Sequence, residues 1–309
     1  MSEKHVPVLL KEVIEGLNIK SDGVYVDLTL GRGGHSEAIL SRLSEKGLLV
    51  GVDQDETAIK ESDERLAKVA KNYVLVRSNF VDVDKILENL NIDKVDGILM
   101  DLGVSSPQFD DISRGFTYRY DAPLDMRMDQ RNPLTAKEIV NTYSLKELTD
   151  IFQIYGEEKY AYSIAKNIVK YREEKEIETT FELVEIIKKS KPQKELKKVG
   201  HPAKQVFQAL RIAVNDELNV LYKTLLKVVY LLKSGGRLAV ISFHSGEDKI
   251  VKQIFKSLTV TEGNRYDLPL QNEEKDFIEV NRKVIVPSQE ELEVNHRAAS
   301  SKLRIIERK

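Results

Sequence analysis

The sequence predicts an α/β fold: a mostly parallel, Rossmann-like sheet that ends in a closing antiparallel hairpin and carries an inserted all-helical subdomain. Three observations predict it. Short apolar runs at 24–28, 48–53, 73–76, 95–101 and 237–243 are separated by helical patterns or turns, the alternation expected of a parallel sheet. From 135 to about 191 that alternation stops, and only helical periodicity remains. Late in the chain, Ile278 to Val286 and Leu303 to Ile306 supply the two strands of the hairpin.

The bulk numbers bound the answer. A chain of 309 residues, 41% hydrophobic and 32% charged, has the composition of a globular protein with a substantial core, and a net charge of -2 selects no partner. No apolar run approaches the ~18 to 20 residues of a spanning helix, and no signal-peptide core follows Met1, so a cytoplasmic protein without membrane contact is expected. The absence of cysteine excludes disulfides, thiol nucleophiles and thiolate metal sites. The five histidines show no H-x-x-x-H spacing, so no metal is expected.

The first core strand, Val24 to Leu28, runs into Gly31-Arg32-Gly33-Gly34-His35-Ser36. Three glycines in four positions permit positive φ and close approach of the backbone to a ligand, and a helix follows. Ser36 stands where a dinucleotide fingerprint would have its third glycine, which argues against NAD. Asp27, just before the turn, would repel a pyrophosphate but suits a cationic cofactor without phosphate, and S-adenosylmethionine (SAM) fits. The second strand, Leu48 to Asp53, ends in an acid about 20 residues after the turn, where a βαβ unit places a carboxylate on a ribose diol. Asp53 equally suits the N-cap of the helix that starts near Glu56. After the third strand, Asn79 and Phe80 can read and stack an adenine, or Phe80 can belong to the core.

The fourth strand, Val95 to Asp101, runs into Ser105-Ser106-Pro107-Gln108. In open α/β sheets ligands sit outside the carboxyl ends of the strands at the switch point, flanked here by strands one and four. A Ser-Ser-Pro turn there offers acceptors to an exocyclic amine, whose lone pair is conjugated into its ring until hydrogen bonds to its protons localise it. The aperiodic stretch 114–129, with Arg114, Phe116, Asp125 and Arg127, reads as a long ordered loop that holds a base and phosphate or is tied down by its own ion pairs.

Thr135 with Glu138, Ser144 with Glu147, and Thr179 with Glu182 each match a capping box and mark three helix starts in the insertion. Lys188 to Lys204 holds seven lysines against one acid, Glu195; Lys197 and Lys198 lie within it. The run tracks a phosphate backbone or forms a solvated linker. Two helices run from Gln205 to Val214 and from Asp216 to Leu232, and Ser234-Gly235-Gly236 is expected to stop the second before the fifth strand begins at Arg237. His244 follows that strand, in position for a base, a substrate-positioning role or a structural one.

With these segments in hand, the sequence resembles the RsmH (MraW) family of SAM-dependent 16S rRNA cytosine-N4 methyltransferases. The motifs that carry the resemblance are His5 to Leu10, Asp27 to Ser36, D-L-G-V-S-S-P-Q over 101–108, Arg114-Gly115-Phe116, L-D-M-R-M-D over 124–129, Tyr155 to Glu158, F-Q-A-L-R-I-A-V-N-D-E-L over 207–218, S-F-H-S over 242–245, and Lys302-Leu303-Arg304. Departures are small: Gly246, Lys249, His296 and Ala299 stand where the family tends to have Leu, Arg, Pro and Arg. The resemblance implies a class I SAM-methyltransferase fold, with a discontinuous methyltransferase domain over 1–133 and 201–309 and a helical substrate-recognition domain over 134–200. It implies SAM contacts from Gly33, Gly34, His35, Asp53, Phe80, Asp101 and Gln108, alongside Asp27 and Gly31 read from the turn itself. Ser105, Ser106 and Pro107 are expected at the reacting amine, and Asp125, Arg127, Lys197, Lys198 and His244 on the substrate. The implied partner is 16S rRNA in the small ribosomal subunit, as a monomer or a homodimer. A nicotinamide oxidoreductase and a non-catalytic RNA-binding factor are the alternatives that SAM binding and methyl transfer would exclude.

Overall fold

The computed structural model describes residues 7–103, 109, 111–260 and 275–309. In chain order its main elements begin with α1 (Leu10–Leu17), β1 (Val24–Asp27), α2 (Gly34–Leu40), β2 (Leu48–Asp53), α3 (Glu56–Leu66), β3 (Tyr73–Arg77), α4 (Val83–Asn89) and β4 (Val95–Asp101). Six helices follow: α5 (Ala136–Thr142), α6 (Leu145–Ile154), α7 (Ala161–Glu174), α8 (Thr180–Lys189), α9 (Gln193–Leu196) and α10 (Lys204–Asn215). The chain then continues through α11 (Glu217–Val228), β5 (Leu232–Ser242), α12 (Ser245–Thr259), β6 (Phe277–Glu279), α13 (Gln289–Val294) and β7 (Lys302–Arg308). It divides into two compact units, one formed by Met1–Gly103 with Leu218–Lys309 and the other by Val104–Glu217.

The first unit holds a seven-stranded sheet of order β3-β2-β1-β4-β5-β7-β6. Strands β1 to β5 run parallel, and β7 pairs antiparallel with both β5 and β6. This is the predicted fold class. Because side chains alternate across a strand, both faces must be apolar when helices cover both. Val26, Ile98, Met100, Leu238 and Val240 face one way and pack with Leu87, Leu221, Leu225 and Phe255 of α4, α11 and α12. Their neighbours Tyr25, Leu99, Ala239 and Ile241 face the other way and meet Val13, Leu17, Leu40 and Leu66 of α1, α2 and α3. Burying each such side chain contributes roughly 1.5–3 kcal/mol, so the two layers together outweigh any single polar contact in the unit.

Three details differ from expectation. The side chain that caps α3 is Asp55, which accepts the Thr57 N–H at 3.0 Å, so Asp53 is released from that task. Strand β5 begins at Leu232 rather than Arg237, because Ser234-Gly235-Gly236 does not end a helix but carries the strand through an irregularity in its pairing with β4, with Gly235 at φ 72°. The first strand of the predicted hairpin, Ile278 to Val286, is shorter than expected: β6 covers Phe277–Glu279, and Ile285 meets Leu303 only as an isolated bridge.

The second unit is helical and wider than 134–200. Phe116, Leu124, Met126 and Met128 from the aperiodic stretch, and Val206, Phe207 and Leu210 from α10, are buried in one core with Leu148, Phe152, Ile164, Ile168, Leu183 and Ile187. Apolar burial therefore sets the boundary at Val104 and Glu217, where periodicity alone could not see it. Ser144 with Glu147 and Thr179 with Glu182 form reciprocal capping boxes, while Thr135 accepts the Glu138 N–H in one direction only. Among the described residues, no helix is long and apolar enough to cross a membrane.

Candidate active site

The carboxyl ends of β2, β1 and β4 lie side by side at the point where the strand order reverses, and each ends in an aspartate: Asp53, Asp27 and Asp101. Glycines make the approach possible. Gly31 and Gly33 have φ of 51° and 70°, and a Cβ on Gly33 would lie 2.9 Å from Ser62 Oγ. Gly34 opens α2, and a Cβ there would stand 2.4 Å from Pro7 Cγ.

Two of the three acids are held by neutral donors. Asp27 is buried and accepts Ser36 Oγ–H at 2.7 Å and the Thr29 N–H at 3.1 Å. Asp53 accepts the N–H groups of Gly31 and Asp55, both at 2.9 Å. Asp101 Oδ2 lies 3.6 Å from His35 Nδ1, while its buried Oδ1 has no hydrogen-bond partner. His35 Nε2 is 2.9 Å from the Val8 carbonyl, a bond only a protonated Nε2 can make, so Nδ1 turns a bare lone pair toward Asp101. Burial pushes Asp53 up to about 6 and raises Asp27. Burial, followed by the charges of Asp27 and Glu247, holds Asp101 well above the usual carboxylate range. Burial also pushes His35 down to about 4, so it is neutral and cannot serve as counter-ion. The arrangement is an acidic edge built to receive a cation.

Phe80 opens a short 3-10 helix after β3 and packs, half-buried, against the sheet core, so its core role is realised. His244 is the N-cap of α12, just beyond β5. Ser105, Ser106, Pro107 and Gln108, like His5 of the first motif, lie outside the described residues.

In the helical unit, Asp125 and Arg127 form a bidentate pair, Nε to Oδ1 at 2.9 Å and Nη2 to Oδ2 at 2.8 Å. Arg127 Nη1 also donates to the carbonyls of Gln130 and Asn132. Arg114 Nη2 donates to the carbonyls of Arg127 and Met128, and Asn215 bridges Met126 O and the Met128 N–H. Met126 is held at φ 62°, costly for a bulky side chain. Both motif residues shape this loop. The lysine run is also divided. Lys191 is buried, with Nζ 2.6 Å from Glu158 Oε2 and 2.7 Å from Pro202 O, and Lys198 pairs with Glu195 at 2.8 Å. Lys197 is exposed.

Residues 2–309 match the model of the MraW methylase family. The chain belongs to that family. A ribosomal RNA small subunit methyltransferase H from Mesoplasma florum is 54% identical over 311 residues, covering 99% of this chain and 100% of that protein. A crystal structure of an rRNA methylase from Streptococcus thermophilus aligns with 97% of this chain and 93% of its own at 11% identity, with a TM-score of 0.43.

In this MraW chain the motifs divide into those that shape the acidic edge and those that stiffen the helical unit. Sequence reasoning missed two participants. Thr29 Oγ1 accepts the Asp101 N–H at 2.6 Å and so links the ends of β1 and β4. Glu247 is buried at 2% exposure and accepts the Phe243 N–H at 2.7 Å. A glutamate three positions after an N-cap is a capping-box signal, and it could have exposed Glu247 had His244 been considered a cap.

Proposed function

We propose that the chain transfers a methyl group from SAM to the exocyclic N4 of a decoding-site cytidine in 16S rRNA, acting in the cytoplasm on the small ribosomal subunit. The observation that carries this reading is the unpaired Asp101 Oδ1 beside Asp27 and Asp53, two acids held by neutral donors, in a chain of the MraW methylase family. A cofactor that carries a sulfonium and an ammonium group and no phosphate meets that demand, and a dinucleotide does not.

When bound, SAM supplies an electrophilic methyl group on a sulfonium centre. Asp53 would hold the ribose diol. Gly31, Gly33, Gly34 and His35 would line the turn with Asp27 beneath it, Phe80 would border the adenine, and Asp101 with Gln108 would hold the remainder. Ser105, Ser106 and Pro107 would accept hydrogen bonds from the amine and fix its lone pair on the reacting line. Orientation of this kind accounts for much of a transfer rate without a strong base. A target base inside a helix must first be extruded, and the helical unit, stiffened through Asp125 and Arg127, with Lys197, Lys198 and His244, would grip the RNA around it.

The test is to incubate small subunits, and separately naked 16S rRNA, with methyl-labelled SAM and to identify the labelled nucleoside after digestion. N4-methylated cytidine at the decoding site is expected. Label in another nucleoside, or none, overturns the reading, and the two arms decide which form of the RNA is the substrate.

A further inference from the structure

His244 is an unusual choice for a helix cap. Its side chain accepts the backbone N–H of Glu247, and since Nε2 has no partner the accepting atom is Nδ1, while the Glu247 carboxylate accepts the N–H groups of Phe243 and His244, at 2.7 and 3.3 Å. This is a reciprocal capping box, a job that Ser, Thr, Asp or Asn does with one short oxygen. What the imidazole adds is a second nitrogen. Because Nδ1 is an acceptor, the neutral ring carries its proton on Nε2. That Nε2 lies 3.1 Å from Glu247 Oε1 but off the hydrogen-bond line, and it has no hydrogen-bond partner. The side chain around it is 8% exposed. An unmet donor at that depth is costly, and Asn at this cap would avoid the cost.

The position gives the donor a use. β5 pairs in parallel with β4, Asp101 opposite Ile241, so His244 follows the strand end adjoining the one that carries Asp101. The charge of Glu247 is felt at Asp101. One edge therefore presents an unmet acceptor, Asp101 Oδ1, and an unmet donor, His244 Nε2.

We propose that Glu247 is a positioning residue that fixes His244 in its Nε2–H tautomer, and that this N–H donates to the acceptor edge (ring N3 or O2) of the target pyrimidine. The inference rests on the reading of the chain as a cytidine methyltransferase. A fixed donor on N3 accepts cytosine and rejects uracil, whose N3 is itself a donor. Glu247, the carboxylate below the ring, opposes any tautomer that would turn a lone pair toward it.

The test separates capping from recognition. His244→Asn keeps a good cap but is too short to place a donor where Nε2 stands. Its thermal midpoint should stay near that of the parent and its SAM affinity, by calorimetry, should stay within about twofold. Its kcat/KM for methylating small subunits should fall about 10-fold or more. Glu247→Gln removes the carboxylate beside Nε2 but keeps the backbone N–H that Nδ1 accepts: ring 15N shifts of His244, which in the parent report a single Nε2–H form, should move only part of the way toward the Nδ1–H form, with a smaller loss in kcat/KM than in His244→Asn. An unchanged kcat/KM in folded His244→Asn overturns the proposal. So does a loss confined to SAM affinity, which would place the donor on the cofactor, and so does a parent ring in the Nδ1–H form. If the parent itself does not methylate cytidine, the reading beneath the proposal falls with it; if it does and His244→Asn matches it, only the proposal falls.

Discussion

Asp53 accepts the Gly31 N–H at 2.9 Å, so the acid at the end of β2 holds the backbone of the turn that follows β1. The carboxylate expected on a cofactor's ribose is also a strut of the glycine cradle. Asp53→Ala is therefore expected to lose both, weakening SAM binding at least 10-fold by calorimetry, while Asp53→Asn, which keeps one acceptor oxygen for Gly31, should lose less. Equal affinities for parent and Ala variant would remove Asp53 from the site.

The acidic edge carries a stability cost that the empty protein bears. For Asp101 the sign is clear: a folded pKa raised above the unfolded value means the native state holds the proton more tightly. Its contribution is most favourable at low pH and is lost as pH rises from the unfolded value through the folded one. Asp101→Asn should then raise the thermal midpoint of the SAM-free protein at pH 7 and lower SAM affinity. Scanning fluorimetry with and without SAM reads both, and a lower midpoint without SAM would refute the account.

Gly115 sits at φ 69°, and a Cβ there would lie 2.1 Å from the Pro123 carbonyl oxygen. Neither the backbone angle nor the backbone atom can yield cheaply. Gly115→Ala should cost several kcal/mol, on the order of 3, in urea unfolding, with proteolysis opening the 114–129 stretch first.

Lys191 and Glu158 form a buried pair at 2.6 Å, with side chains 6% and 2% exposed. Removing one partner leaves the other charge stranded, so Lys191→Met and Glu158→Leu should each destabilise by about 3–5 kcal/mol. The double variant should recover most of the loss. Additive losses in denaturant unfolding would contradict this.

Much of the fold was legible because the first unit obeys local rules. Strands β2 and β4 begin and end where their apolar runs do, with Asp53 and Asp101 as their last residues. The acids of the candidate site could be found for the same reason, each being the polar stop of a buried strand. What escaped depends on long-range packing. Nothing in the local pattern of Met126 or Leu124 announces that they join the helical core, and Lys191 looks like its neighbours until Glu158 is brought beside it. Asp55 and Asp53 compete for one cap, and only the geometry of the turn shows which side chain is free to bind Gly31.

The central pair β4–β5 is interrupted by the entire helical unit, so strands that are neighbours in the sheet are separated by the Val104–Glu217 stretch and α11 in the chain. Closing so long a loop is only slightly dearer than closing a short one, since each doubling of length adds about 0.6 kcal/mol. Time is affected more than stability, because non-local pairings form slowly. A helical unit rich in local contacts that condenses first would shorten the effective loop. In that case the edge that gathers Asp101 and His244 would be completed only after the segment between them had taken shape.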